Sequence, residues 1–166
     1  MKSLVIYSTQ TGNTKKVAEA IFEALPGEKD IARTDRPPEN LADYDVVFVG
    51  FWAWRRGADA LAQKVLSQLT GKKVAIFGTC GAWPDSDAAK MYAANAAALL
   101  DASNTFLGSF MCQGRVNSFH KRKLHPDHES AHPMTEDRRA RLEEAEKHPD
   151  EADLAKAAAW AREIVG

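Results

Sequence analysis

Two cysteines, Cys80 and Cys112, are all this chain has, and they do not form a Cys-x-x-Cys pair. A disulfide framework is thereby excluded, and reduced thiols in a reducing compartment are expected. No apolar run approaches the roughly 20 residues that a membrane span requires, and Met1-Lys2-Ser3 leads into a strand pattern instead of a signal peptide, so cytoplasmic placement is expected. The formal net charge is -1, which offers no electrostatic case for nucleic acid. No Gly-Lys-Ser/Thr closes a glycine-rich loop, so the lysine and magnesium-binding hydroxyl of a nucleoside-triphosphate site are missing. No Gly-x-Gly-x-x-Gly is present either, which leaves a dinucleotide's pyrophosphate without an obvious seat.

What the chain does have is the run Val5-Ile6-Tyr7-Ser8-Thr9-Gln10-Thr11-Gly12-Asn13-Thr14. Leu4, Val5 and Ile6 form the short apolar run of a strand buried on both faces. Val17, Ala20, Ile21, Ala24 and Leu25 follow at helical spacing. The turn between them therefore lies at a helix N-terminus, where unpartnered N–H groups and the macrodipole favour an anion without Lys or Arg. Hydroxyls on Thr9, Thr11 and Thr14 and the Asn13 amide add donors, and Gly12 permits positive φ or close backbone approach. A polar loop with one glycine suits a phosphate monoester.

With 166 residues, 45% of them hydrophobic, one domain spanning 1–166 is expected. Asp30–Arg33 reads as a short edge strand, Asp45–Gly50 as a buried strand and Lys73–Thr79 as another, with Thr105–Met111 as the fifth. Ala58, Leu61, Ala62, Val65, Leu66 and Leu69 mark an amphipathic helix with Gly71 as its stop, and a further helix spans about Asp85–Ala102. Alternating strands and helices imply an α/β fold, an open, doubly wound parallel sheet of five strands with helices on both faces. Its ligand belongs outside the carboxyl ends of the strands. From about 113 to 150 the pattern turns polar and His-rich, which reads as an insertion on the rim. Within it Thr135 is placed to cap a solvated helix over Glu136–Lys147. Leu154, Ala157, Ala158, Ala161, Ile164 and Val165 give the last helix.

The first strand, turn and helix resemble the flavodoxins, whose phosphate-loop signature is met at Val5, Ile6, Tyr7, Thr9, Gly12, Thr14, Ala18 and Ile21. The resemblance covers 1–112 and the last helix. It implies a flavodoxin-like sheet of order 2-1-3-4-5, FMN as cofactor, and electron transfer between redox partner proteins without a catalytic side chain. Cofactor contacts are then expected from Ser8, Thr9, Gln10, Thr11, Gly12, Asn13 and Thr14 at the phosphate. Phe51, Trp52, Ala53, Trp54, Thr79, Cys80, Gly81 and Trp83 supply the loops around the ring. Trp52 and Trp83 are expected to make the ring contacts, with Trp54 as a substitute for Trp52, since an aromatic wall buries a flat π system.

Arg55 and Arg56 depart from the neutral or acidic flavin surroundings common in flavodoxins. Two cations there favour an anionic reduced flavin, unless they are solvated and screened. Among His120, His125, His128 and His132, with Cys112 as a possible fifth ligand, only His128 and His132 have a tight His-x-x-x-His spacing, and Pro133 follows at once, so solvated imidazoles on a surface loop and no metal are expected. Cys80 reads as a buried thiol, or as a redox-sensitive one if its thiolate is stabilised. Arg115, Lys121, Arg122 and Lys123 form a basic run that is either solvated or a docking patch for an acidic redox partner. Two other readings stay open: an NAD(P)H-dependent FMN or quinone reductase, and a non-redox module on the same fold.

Overall fold

Parallel strands are covered on both faces and so need nearly continuous apolar runs. The computed structural model, which describes residues 1–116 and 134–166, has such runs in its central strands β1 (Lys2–Tyr7), β3 (Val46–Trp54) and β5 (Lys73–Cys80), while the edge strands β2 (Glu28–Arg33) and β6 (Thr105–Gln113) are more polar or more exposed. These pair in parallel in the order β2-β1-β3-β5-β6, and a short β4 (Gly57–Ala58) pairs antiparallel with the end of β3. With the hairpin strand β4 set aside, this is the expected order 2-1-3-4-5. The helices are α1 (Asn13–Ala24), α2 (Ala60–Gln68), α3 (Asp87–Ala97), α4 (Glu136–Ala145) and α5 (Glu151–Val165).

Side-chain alternation divides the core into two layers. Leu4, Ile6, Val47, Val49 and Ile76 meet Ala62, Val65 and Leu66 of α2 on one face. Val5, Tyr7, Phe48 and Phe77 meet Val17 and Ile21 of α1 and Ala157 and Ala161 of α5 on the other. Trp160 of α5 closes this second layer edge-on to Phe48, with ring centroids 5.8 Å apart.

Several boundaries differ from those expected. The strand expected to end at Gly50 continues to Trp54, because β5 on one side and β4 on the other supply its hydrogen-bond partners. Helix α2 stops before Gly71: the backbone is already extended at Leu69 (ψ 133°), and Gly71 carries the following turn at φ +64°. Helix α3 is shorter than Asp85–Ala102. Its start is fixed by Ser86, whose hydroxyl accepts the Ala89 N–H at 3.2 Å, and its end loosens into tighter turns, Leu99 N–H bonding Ala96 O at 3.2 Å. Helix α4 begins where expected, with the Thr135 hydroxyl accepting the Arg138 N–H at 3.1 Å. It ends at Ala145, two residues before Lys147, and is not wholly solvated, since Ala145 is buried. His120, Lys121, Arg122, Lys123, His125, His128 and His132 lie outside the described residues.

Candidate functional site

Register brings four loops to one place. Tyr7 lies beside Gly50, Trp52 beside Thr79, and Cys80 beside Gln113, so the segments leaving β1, β3, β5 and β6 converge at the carboxyl edge of the sheet. They enclose a cleft of about 190 Å³.

One wall is the turn after β1. Gly12 takes φ +91° as the residue before α1, and its N–H donates to Thr9 Oγ1 at 3.1 Å, which bends Thr9–Asn13 around the helix N-terminus. Behind it, Thr14 Oγ1 and Thr79 Oγ1 are 2.8 Å apart in the interior, and Thr14 Oγ1 also reaches the Phe51 carbonyl at 3.5 Å. These bonds tie the turn to the ends of β3 and β5.

The opposite wall is the extension of β3. Trp52 and Trp54 are two residues apart on a strand and therefore share a face; their rings meet edge-on at 5.6 Å. Arg55 and Arg56 then form the two-residue loop of the β3–β4 hairpin with φ of 46° and 67°. Such loops favour Asn-Gly because both central residues need positive φ, and a bulky residue there costs on the order of 1 kcal/mol or more. Asn95 Nδ2 holds the turn by donating to Arg56 O at 2.7 Å, and the Arg55 guanidinium lies 5.4 Å from the centre of the Trp54 ring.

A third wall is Gly114-Arg115-Val116, which continues from β6. Gly114 N–H bonds Cys80 O at 2.8 Å, and Arg115 N–H bonds His148 O at 3.1 Å. Val116 packs against Gly81, 2.5 Å from where a Cβ on that residue would stand. Gln113, buried below, donates through Nε2 to the carbonyls of Gly81 and Arg141, both at 3.3 Å, and so attaches α4 to the same loop. Arg55 and Arg115 line the cleft, and no carboxylate does among the described residues. Cys80 also lines it, but burial pushes its thiol up to about 11, so it is a protonated group and not a reactive thiolate. Burial, with the Asp153 charge behind it, pushes the Cys112 thiol up as well.

The sequence profile of the flavodoxin domain family matches residues 4–162. The chain belongs to the flavodoxin family. It is 33% identical over 174 residues to the flavodoxin-like domain-containing protein BilS of Clostridioides difficile (strain CD3), covering 99% of this chain and 97% of that protein. In fold it is similar to the flavodoxin of Streptococcus pneumoniae TIGR4, with a TM-score of 0.62 at 11% identity over 99% of this chain and 98% of that one. It is similar as well to a flavoprotein of Lactobacillus acidophilus NCFM solved in complex with FMN, with a TM-score of 0.54 at 19% identity, covering 66% of this chain and 92% of that one.

In this member of the family most of the residues singled out from sequence do line the one cleft: Thr9, Gln10, Thr11, Asn13 and Thr14 from the first turn, Trp52, Ala53 and Trp54 from β3, and Thr79, Cys80 and Gly81 from the end of β5 and the loop after it. Four stand behind or outside it. Ser8 is buried and its N–H joins β1 to Gly50 O at 3.0 Å. Gly12 shapes the turn without lining the cleft. Phe51 is fully buried and faces the layer under α2. Trp83 is 42% exposed, because a turn in which Ser86 Oγ donates to its carbonyl at 2.6 Å carries it past the cleft. Gly114 and Val116 are the lining residues that sequence reasoning missed; Arg115 drew attention there only as one member of a basic run.

His148, Asp150 and Asp153 place donor atoms within 4.8 Å of one another. Their carboxylates serve the start of α5, however. Asp150 Oδ1 accepts the Asp153 N–H and Asp153 Oδ2 the Asp150 N–H, both at 2.9 Å, a reciprocal cap of the helix N-terminus. His148 bonds Asp153 through Nδ1 and Glu144 through Nε2, which raises its pKa, the Asp153 bond being the main cause. Among the described residues no helix is long and apolar enough to cross a membrane.

Proposed function

We propose that the cleft binds FMN and that the protein carries electrons between redox enzymes in the cytoplasm. The observation that carries this reading is the facing of two chemically different walls across one cleft. The turn Thr9–Thr14 offers hydroxyls, N–H groups and a helix N-terminus to a phosphate, while the Trp52–Trp54 pair offers an aromatic wall to a flat ring. The donor set fits a monoester joined to a large π system. When bound, FMN supplies the redox chemistry. The chain's own work is to bind, orient and tune it: Thr9, Thr11 and the turn hold the phosphate, Trp52 and Trp54 exclude water from the ring, and Gly81 lets Val116 close against the β5 loop. Membership in the flavodoxin family and the FMN complex of the Lactobacillus relative support the same assignment.

The test is a fluorescence titration of the purified apoprotein with FMN and riboflavin, followed by anaerobic reduction of the FMN form. Quenching and tighter binding of FMN are expected; no quenching of either flavin removes the reading. One observation favours a second reading, an NAD(P)H-dependent reductase: Arg55 and Arg115 give the cleft fixed positive charge, which suits an anionic substrate or a nicotinamide phosphate. Bleaching of the bound flavin by NAD(P)H alone would select the reductase.

A further inference from the structure

We infer that Arg115 is a cofactor-binding residue, a cation suspended over the phosphate turn by Asn13; the inference rests on the FMN reading above. Three observations locate it. Asn13 Nδ2 donates to the Arg115 carbonyl at 2.9 Å, so the amide expected to face the phosphate spends one of its two hydrogens on holding the strand end above the turn. Gly114 makes that approach possible. A Cβ there would fall 2.7 Å from Asn13 Nδ2, so a larger residue would push the Asn13 amide off the Arg115 carbonyl. The Arg115 N–H is in turn fixed to His148 O at 3.1 Å, which holds the residue from the other side.

Arg115 so placed is exposed and lines the same cleft as Thr11 and Asn13. Among the described residues its guanidinium makes no hydrogen bond or ion pair. Arg55, the other cation of the cleft, is already over the Trp54 ring on the far wall. The two arginines therefore divide the work: Arg55 belongs to the ring end and Arg115 to the phosphate end. A guanidinium meets a phosphate with a fork of donors that a threonine turn lacks, and its contribution falls as salt rises. Arg115 thus adds a charged contact to a turn that otherwise binds its anion through neutral donors.

The experiment compares FMN and riboflavin binding to the full-length apoprotein and to Arg115→Gln and Arg115→Lys, at low and high potassium chloride, by quenching of flavin fluorescence. Arg115→Gln is expected to weaken FMN about ten-fold at low salt, as the loss of a charge-assisted hydrogen bond implies, and to change riboflavin less than about two-fold. It should also flatten the salt dependence of FMN binding, and Arg115→Lys should restore most of both. Thermal melts of the variants check that this exposed substitution leaves the fold intact. Equal losses for FMN and riboflavin would make Arg115 a mere wall of the cleft, and unchanged FMN affinity with unchanged salt dependence would remove it from the site; either result overturns the inference. Failure of the unsubstituted protein to quench either flavin would remove the FMN reading itself, and this assignment with it.

Discussion

Asp59 and Trp52 grip one another twice: the Trp52 N–H donates to Asp59 Oδ2 at 3.2 Å, and the Asp59 N–H donates to the Trp52 carbonyl at 3.2 Å. The other oxygen of the same buried carboxylate caps α2 through Leu61 N–H and Ala62 N–H, both at 3.2 Å. One side chain thus starts a helix and sets the height of the aromatic wall. Asp59→Ala is expected to lower stability by about 2 kcal/mol or more, about 1 for the lost cap and at least as much for the orphaned Trp52 N–H. Denaturant unfolding measures the loss. Flavin affinity should fall with it, while Asp59→Asn keeps part of both.

The hydroxyl pair Thr14–Thr79 predicts a different pattern. Thr14→Val removes the bond that ties the phosphate turn to β5 without leaving a cavity. FMN is expected to bind roughly ten-fold more weakly, the worth of about 1.4 kcal/mol, and riboflavin nearly as before. Thr14→Ser should rescue the loss. Titrations at matched salt decide it, and an unaltered FMN affinity in Thr14→Val counts against the turn as the phosphate seat.

Trp52 and Trp54 share a strand face and Trp83 does not reach the cleft, so the three tryptophans are expected to separate cleanly. Trp52→Ala and Trp54→Ala should weaken FMN and raise the residual emission of bound flavin. Trp83→Ala should do neither. A large effect of Trp83→Ala with no effect of the other two would move the ring to the outer side of the β5 loop.

Arg55 lines the cleft at the Trp52–Trp54 wall, where the proposed FMN would place its ring, and Arg56 lies beyond the lining. Neutralising Arg55 to Gln is expected to lower the two-electron midpoint potential of the bound flavin by about 30 mV, equivalent to ~1.4 kcal/mol, because a nearby cation favours an anionic reduced ring. Arg56→Gln should shift it less. Spectroelectrochemistry at low salt reads both, and a rise in potential would contradict the electrostatic argument.

The His148 cluster predicts a pH dependence of stability. The raised pKa of His148, due chiefly to Asp153, means that its charge stabilises the fold fully below the ordinary imidazole range and that this contribution is lost as pH rises through the raised value. Glu144 is lowered, first by its bond to His148, and Asp150 by its bond to the Asp153 backbone. Their contributions are present above the ordinary carboxylate range and fade as pH falls through the lowered values. Melting temperature should therefore peak in mildly acidic solution, and His148→Gln should flatten the alkaline limb and, because His148 is the first cause of the lowered Glu144, part of the acidic limb as well.

How much of this could be read from residues alone follows from whether the determinant is local. The β1 run, the Gly12 turn and the first helix are legible because strand period, positive φ and helical period all lie within one short stretch. The wall at Gly114–Val116 is not, because it depends on Cys80 pairing with Gln113 across two strands, and nothing near Arg115 encodes that register. The Arg55-Arg56 turn was hidden for a different reason. Hairpin loops are recognised by Asn-Gly or a similar pair, and here tertiary contacts, including Asn95, impose positive φ on two arginines instead. Trp83 illustrates the converse, a residue with the right chemistry next to the right loop that the Ser86 turn carries away.

The packing of α5 beside α1, with His148 just before it, bears on when the protein becomes competent during synthesis. Until the last helix has left the ribosome, Phe48 and Phe77 have only α1 to cover them. The carbonyl that anchors Arg115 does not yet exist as part of a folded unit. The phosphate turn is translated first and finished last. On the FMN reading proposed above, flavin capture therefore waits for α5, and a nascent chain stalled short of it offers an open groove whose Gly114–Val116 wall is not yet anchored.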